Sequence, residues 1–367
     1  MTIRITIAVF FLFFASCEND DGGEKPLQRL GITFGNVNES EYMATMIADA
    51  GHIVTIYGAY QALKLAKVST AGLVQWERAL PNLTYVSGLF ATNDGGYLVV
   101  GTRTIDNQYA MTIRKFGSTG NPVWSRDYSS VNWVGRSMLL QNQRIVLQTW
   151  SSEASQLVLL ESDGTEIRSV PVFQSSRDIS SFVETEAGIC ILGSDWNRNA
   201  SLIQVSSLLD SLWQVPLGRL AGNLLTARDS NIVIVGAATE WNVHVPTVQY
   251  NWLRYLEFDG RGTLTGHVDI PTNQSLFYSN FRTTHASGAG YFTITSWDYA
   301  ESAFILIKQD ESGQWLWTRI FEVGNRVVTI AELDGTRLVI GGDVFDEVTN
   351  QRDPFILIVD HEGNVLN

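Results

Sequence analysis

Cysteine is almost missing from this chain: 2 occur in 367 residues, at Cys17 and Cys190. So few cannot build a disulfide framework, which leaves the body to be held by its core. Histidine is nearly as scarce, and His52, His244, His267, His285 and His361 have no metal-ligand spacing. No nucleophile elbow, zincin helix motif or phosphate loop occurs. Asp-rich turns such as Asp310-Glu311-Ser312-Gly313 lack the ligand set of a calcium loop. No catalytic residue, metal or cofactor is therefore assigned. Basic residues are outnumbered, with 25 Lys and Arg against 38 Asp and Glu and a formal charge of -13 spread along the chain. That balance argues against nucleic acid as a partner and against direct attraction to anionic membrane surfaces. Helical periodicity is nearly absent, and beyond the first residues no apolar stretch approaches the roughly 20 residues that span a bilayer.

What is present begins at the N-terminus. Arg4 supplies a short basic start, and residues 5–14 are apolar apart from Thr6, too short for a membrane span and ending in small residues. Residues 1–16 are read as a signal peptide. The stretch Phe14-Ala15-Ser16-Cys17 resembles the lipobox of bacterial lipoproteins, with Phe14 where that family usually has Leu. The resemblance implies cleavage before Cys17, lipid on that residue, and an outer-membrane lipoprotein of a Gram-negative bacterium. Attachment to the membrane then rests on Cys17 alone, and loss of Arg4 makes the charge one unit more negative. The following Glu18-Asn19-Asp20-Asp21-Gly22-Gly23-Glu24 has no apolar residue to bury, so residues 17–26 are read as a flexible acidic tether. An acidic run there also looks like the surface-export signal of some Gram-negative lipoproteins. A plain linker on a periplasm-facing protein is the alternative, and both stay open. Cys190, inside Ile189-Cys190-Ile191-Leu192, is left as a small buried hydrophobe with no disulfide partner in its own chain.

From residue 27 onward one unit recurs seven times. Its clearest copy is Asn93-Asp94-Gly95-Gly96-Tyr97-Leu98-Val99-Val100-Gly101, then residues 111–116, then Gly120-Asn121-Pro122-Val123-Trp124. The first apolar run returns at residues 53–58, 145–148, 189–193, 232–236, 291–296 and 338–341. The second returns at 63–68, 157–161, 202–205, 253–258, 304–308 and 355–359. These short Val, Ile and Leu runs between turn residues are strands. Many are apolar at consecutive positions, which requires cover on both faces of a sheet. A turn follows at Gly72, Gly120, Gly164, Gly260, Gly313 and Gly363, with Leu209-Asp210 in the fourth copy. Four residues on stands Trp76, Trp124, Trp213 or Trp317, with Arg168 and Leu264 as exceptions. A large flat side chain suits an outer strand, where wedge-shaped sheets diverge, so these tryptophans are read as packing and not as a ligand ladder.

With a strand ahead of the first run, each unit has four strands. The expected fold is all-β, a seven-bladed β-propeller of four-stranded antiparallel blades. The last unit stops at Gly363-Asn364-Val365-Leu366-Asn367, where its fourth strand should begin. Leu27-Gln28-Arg29-Leu30-Gly31-Ile32-Thr33-Phe34-Gly35 resembles the fourth strand that starts at Trp317. An N-terminal strand is therefore expected to complete the last blade, with Ile32 beside residues 355–359, which removes a sheet edge. The repeat resembles the propeller-forming repeats of many secreted bacterial proteins. It is less similar to quinoprotein propellers, although Ala71-Gly72-Leu73-Val74-Gln75-Trp76 has their look, and WD40 signatures are missing.

In such a fold the loops between the two apolar runs open on the face that also holds the blade-to-blade links. They carry Tyr60; Asp106 and Tyr109; Trp150 and Glu153; Asp195 and Trp196; Glu240 and Trp241; Trp297, Asp298 and Tyr299; and Asp343, Phe345 and Asp346. Aromatic faces stack on sugar rings and carboxylates accept hydroxyl hydrogen bonds, while the same mixture suits a basic protein loop. The bland alternative is packing aromatics and turn acids. The fifth loop, residues 237–252, is the longest, and Glu240, Trp241 and His244 are its candidates. The candidate ligand-binding set is thus Trp150, Asp195, Trp196, Glu240, Trp241, His244, Trp297 and Asp298. The expectation is a noncatalytic, monomeric binding or scaffold module for an envelope protein or polysaccharide. The alternative is a glycan-active hydrolase or lyase, which needs two acids, or an acid with a histidine or tyrosine, converging on that face.

Overall fold

The computed structural model describes residues 31–34, 40–60, 62–105, 108–129, 131, 133–150, 155–171, 179–195, 199–228, 231–238, 250–276, 282–296, 303–321, 326–346 and 351–366. Among them there are 27 strands and no helix. The first is β1 (Ile32–Thr33). The first sheet is β2 (Tyr42–Asp49), β3 (His52–Ala59), β4 (Ala62–Ser69) and β5 (Val74–Ala79) in chain order. The second is β6 (Leu83–Ala91), β7 (Tyr97–Ile105), β8 (Gln108–Phe116) and β9 (Pro122–Tyr128). The third is β10 (Trp133–Leu139), β11 (Ile145–Trp150), β12 (Ser155–Leu160) and β13 (Glu166–Pro171).

Next comes a 7-stranded sheet: β14 (Ile179–Thr185), β15 (Gly188–Ser194), β16 (Asn199–Val205), β17 (Ser211–Arg228), β18 (Asn231–Ala238), β19 (Tyr250–Phe258) and β20 (Leu264–Leu276). Its centre, β17, does two jobs. Residues 211–219 pair with β16, and residues 220–228 pair with β18. The outer strand of one unit thus runs without a break into the inner strand of the next, bending at Gly218, whose φ is +69°. The remaining sheets are β21 (Arg282–Ala286), β22 (Gly290–Ser296), β23 (Phe304–Gln309) and β24 (Trp315–Phe321), then β25 (Arg326–Glu332), β26 (Arg337–Asp346) and β27 (Gln351–Asp360). All pairings are antiparallel. The last sheet is completed by β1, with Ile32 opposite Ile356 and Thr33 opposite Phe355, the pairing expected from the sequence.

Burial follows position within each unit. Middle strands such as β11, β15 and β18 are buried at nearly every residue, because sheets on either side cover both faces. Outer strands β5 and β9 are mostly exposed, and β13 has no buried residue. The inner strands touch in the order β2, β6, β10, β14, β17, β21 and β25, and β25 touches β2 again. Six of them slip register near their start. A bulge frees a backbone N–H, and the preceding sheet supplies an acceptor at three of the six. Thr102 Oγ1 accepts Val134 N at 3.4 Å, Gln148 Oε1 accepts Ile179 N at 3.1 Å, and Asp343 Oδ1 accepts Met43 N.

The turn into each outer strand has one construction. Its first residue, at 69, 117, 161, 206, 259, 310 or 360, donates its N–H four residues ahead and accepts from the residue three ahead. That third residue is left-handed: Gly72, Gly120, Gly164, Leu209, Gly262, Gly313 or Gly363. In the fifth unit the position is Gly262, not the Gly260 expected from sequence. The residue matching the tryptophans there is then Gly266, opposite Glu257, and not Leu264.

These turns dock on the preceding outer layer. A Cβ on Gly120, Gly262 or Gly363 would come within 3.0 Å of Trp76, Trp213 or Trp317 respectively. Glycine is required twice over, by φ and by the ring lying against it. Where Trp is absent the contact is remade. Gly313 meets Tyr255, whose unit has Gly266 in place of Trp. After Arg168, the next turn uses the buried Leu209 in place of glycine, while Arg168 pairs with Asp210 at 2.8 Å. Gly72 meets Ile32 of β1.

Candidate functional site

The hairpins β3–β4, β7–β8, β11–β12, β15–β16, β18–β19, β22–β23 and β26–β27 open at one end of the molecule, called here the upper end, together with the links from each outer strand to the next inner strand. Of the predicted ligand-binding residues, Trp196, Glu240, Trp241, His244, Trp297 and Asp298 lie outside the described residues, as does Cys17. Trp150 and Asp195 are described. Trp150 closes β11, half-buried opposite Trp133, and its ring lies over Gly135, where a Cβ would come within 2.7 Å. Asp195 accepts the backbone N–H of Asn199 at 2.9 Å and its side-chain amide at 3.1 Å, closing the β15–β16 hairpin.

Other members of the predicted ring divide between exposure and structure. Tyr60 and Tyr109 are 63% and 48% exposed. Asp343 is 1% exposed and caps the bulge at Met43, so it fastens the last sheet to the first. The structure also gathers aromatic residues that pattern reading passed over. Tyr85, near the start of β6, and Trp133, the first residue of β10, lie with ring centroids 4.7 Å apart at 30°. Tyr109 meets Trp133 edge-on at 6.2 Å and 83°. This trio bridges two sheets at the upper end and leaves Tyr109 open to solvent. Both missed residues sit on inner strands, whereas the sequence signal was strongest on the two middle runs. An aromatic at the opening of successive inner strands, Tyr42, Tyr85 and Trp133, was the available clue.

One acid-rich cluster is also present. Lys64 Nζ reaches Glu41 at 3.1 Å and Glu77 at 3.7 Å, while the buried Tyr57 hydroxyl donates to Glu77. Burial, then the hydrogen bond to Glu77, pushes the Tyr57 phenol far above its usual range. The lysine joins both carboxylates and the phenol is enclosed, so these groups are committed to one another. Among the described residues no three His, Cys, Asp or Glu side chains gather as a metal site. Cys190 is buried, and burial pushes its thiol up to about 12, which suppresses thiolate chemistry.

No protein-family model and no curated protein matches the chain. Solved structures do match. The Dos1 propeller shares 12% identity over 86% of this chain and 78% of its own, with a TM-score of 0.53. The Neurospora crassa Pan2 WD40 domain shares 11% over 86% and 88%, with a TM-score of 0.55. A catalytically inactive virginiamycin B lyase from Staphylococcus aureus, solved with quinupristin, shares 13% over 89% and 98%, with a TM-score of 0.57. The fold is a β-propeller. Identities this low carry the architecture alone, and the likeness to a WD40 domain arises although WD40 signatures are missing from the sequence.

In propeller terms, the four-stranded sheets are blades and the upper end carries the links between them. Tyr85 and Trp133 of the trio sit on inner strands, and Tyr109 sits beside the tip of the β7–β8 hairpin. The trio offers π faces and edges with a phenol at its margin, which can stack on a flat apolar group and hydrogen-bond at the rim.

Proposed function

We propose that this chain is a lipid-anchored, noncatalytic binding module, a seven-bladed propeller tied to the outer membrane through Cys17 and turning its upper end toward an envelope protein or polysaccharide. The count of seven is supported by the order of inner-strand contacts, which returns from β25 to β2, and by the two halves of β17 serving two blades. The anchoring rests on the lipobox-like Phe14-Ala15-Ser16-Cys17 and the acidic tether behind it. The observation that carries the binding reading is the platform of Tyr85, Tyr109 and Trp133, because preordered aromatic surface loses little entropy on binding.

The test compares capture by wild type and by a Tyr109→Ala, Trp133→Ala variant, using crosslinking in cells for proteins and an immobilised glycan panel for polysaccharides. Loss of one anchoring aromatic costs about 2 kcal/mol, roughly thirtyfold in affinity. Capture by one panel that falls at least that far supports the reading. Equal capture by both proteins removes the upper-end platform as the site. Separately, Cys17→Ser is expected to move the protein from the membrane fraction to the soluble fraction, and continued sedimentation with membranes refutes the lipid anchor.

A further inference from the structure

On the other face of the second blade from the aromatic platform, a cleft of about 510 Å³ opens between the first and second blades. Its lining includes Arg78, Pro81, Asn82, Arg103, Arg114 and Ser125. Three arginines in one cleft stand out on a chain with a formal charge of -13. Among the described residues only one carboxylate pairs with any of them: Asp127, 3.0 Å from Arg103 Nη1. Arg78 spends its guanidinium on the carbonyls of Glu77 and Thr119 and on the Asn121 side chain. Arg114, 8% exposed, donates to Pro81 O at 2.8 Å. The cleft therefore holds an excess of positive charge.

Strand register puts Arg103 and Arg114 on one face of the second sheet. Val99 lies opposite Arg114, Gly101 opposite Thr112, and Arg103 opposite Ala110, so Arg103, Thr112 and Arg114 share the sheet face turned toward the first blade. Gly101 adds no side chain between them. On the next strand Ser125 faces Arg114 and Asp127 faces Thr112. Two polar atoms on this face are buried without a hydrogen-bond partner: Arg103 Nε and the hydroxyl of the fully buried Thr112. Burial, then the charge of Arg103, pushes the Arg114 guanidinium below its usual range, and Asp127 opposes that only in part. A guanidinium does not relieve such a clash by losing its proton. A counter-ion does.

We infer that this cleft is a binding site for an oxyanion group, a carboxylate, sulfate or phosphate, held by Arg103 and Arg114. The planar fork of arginine matches two oxygens of such a group, and a charge-assisted bond in a half-enclosed cleft is roughly twice as strong as a neutral one. Asp127, 34% exposed, already pairs with Arg103 and lies opposite Thr112, so an entering anion shares Arg103 with it and depends on Arg114 for uncommitted charge. The site and the aromatic platform occupy opposite faces of the second blade.

The test titrates the full chain with sodium sulfate, sodium phosphate and sodium glucuronate against sodium chloride at matched ionic strength, reading calorimetric binding and the unfolding midpoint. Saturable binding by at least one of the three is expected, and the tightest identifies the oxygen geometry preferred. Arg103→Gln should weaken it at least tenfold, and Arg114→Lys, which keeps charge and fold but loses the fork, at least fivefold. Arg337→Gln, an arginine elsewhere that pairs with Asp334, should leave it within twofold. Midpoint shifts no larger than chloride gives, or affinities of the Arg103 and Arg114 variants within twofold of wild type, overturn the inference.

Discussion

Replacing Gly120 with alanine tests whether the propeller is locked blade to blade by turns seated on tryptophans. Two penalties add. The backbone at Gly120 has φ +77°, and a left-handed alanine costs about 1–2 kcal/mol, less about 0.4–1 kcal/mol from the stiffer unfolded chain. The new Cβ would also lie 2.6, 2.8 and 2.9 Å from three ring atoms of Trp76. That ring has little freedom to retreat, since Tyr97 packs 5.7 Å away and Arg78 lies 5.9 Å over it. Overpacking of this kind costs about 1–3 kcal/mol, so Gly120→Ala should destabilise by roughly 2–4 kcal/mol. Gly288 is the control: φ is +74°, nothing lies within 4 Å of its would-be Cβ, and alanine there should cost about 1 kcal/mol or less. Guanidinium melts followed by tryptophan fluorescence separate the two. In a Trp76→Ala background the Gly120→Ala penalty should shrink to the size of the control. Equal midpoint shifts for Gly120→Ala and Gly288→Ala would refute the docking argument, whatever their absolute size.

Acid should weaken the fold. Arg254 lowers the Asp269 carboxyl chiefly by hydrogen bonding, and Arg337 holds Asp334 down to about 2. Carboxyls depressed in the folded state stabilise it above their unfolded range near 4, and that contribution is lost as pH falls through about 2. Denaturation midpoints measured between pH 6 and pH 2 should therefore drop below pH 4, less steeply in Asp269→Asn, and a flat profile counts against it. Cys190 should resist iodoacetamide in the native protein at pH 8 and react once guanidinium unfolds it; rapid native labelling contradicts the buried, raised thiol. Asp343→Ala removes the acceptor for Met43 N–H and should cost about 1–3 kcal/mol, whereas Asp343→Asn, which keeps a carbonyl acceptor, should recover most of it. Melts in which both variants match wild type would show that the cap carries no stability.

The repeat was readable because its parts obey local rules. Consecutive apolar runs such as residues 304–308 demand cover on both faces, and β23 is buried throughout. The pairing of Ile32 with the last blade was readable too, since a missing fourth strand and a spare first one complement each other. What failed depended on choices that only three dimensions settle. Asp259-Gly260-Arg261-Gly262 has two glycines, and the hydrogen bond from Gly262 N to Asp259 O selects the second. Leu209 in a glycine position makes sense only beside Arg168, where the tryptophan of the preceding blade is absent. The unbroken β17 was hidden because Gly218 looks like a stop and acts as a bend. At the upper end, Tyr109 was visible as a loop aromatic, but its partners Tyr85 and Trp133 come from two inner strands distant in sequence. The arginine cleft was invisible for the same reason: Arg103 and Arg114 come to one face of the second sheet only through the β7–β8 register.

The fastening of β1 onto β27 has a consequence for the order of events in folding. Contacts at this seam join residues 300 or more apart, as Met43 and Asp343 are, and Ile32 and Ile356 lie further apart still. Closing so long a loop is thermodynamically mild, since each doubling of length adds only about 0.6 kcal/mol. It is kinetically slow, because the entropy of closing the loop must be met before contacts this distant in sequence reward it. Until then β27 is a bare edge strand carrying Phe355, Ile356, Leu357 and Ile358, a ready template for another chain. The two described residues of β1 therefore act as a timer as much as a clasp: how soon Ile32 and Thr33 reach Ile356 and Phe355 sets how long the molecule can be captured by its own copies.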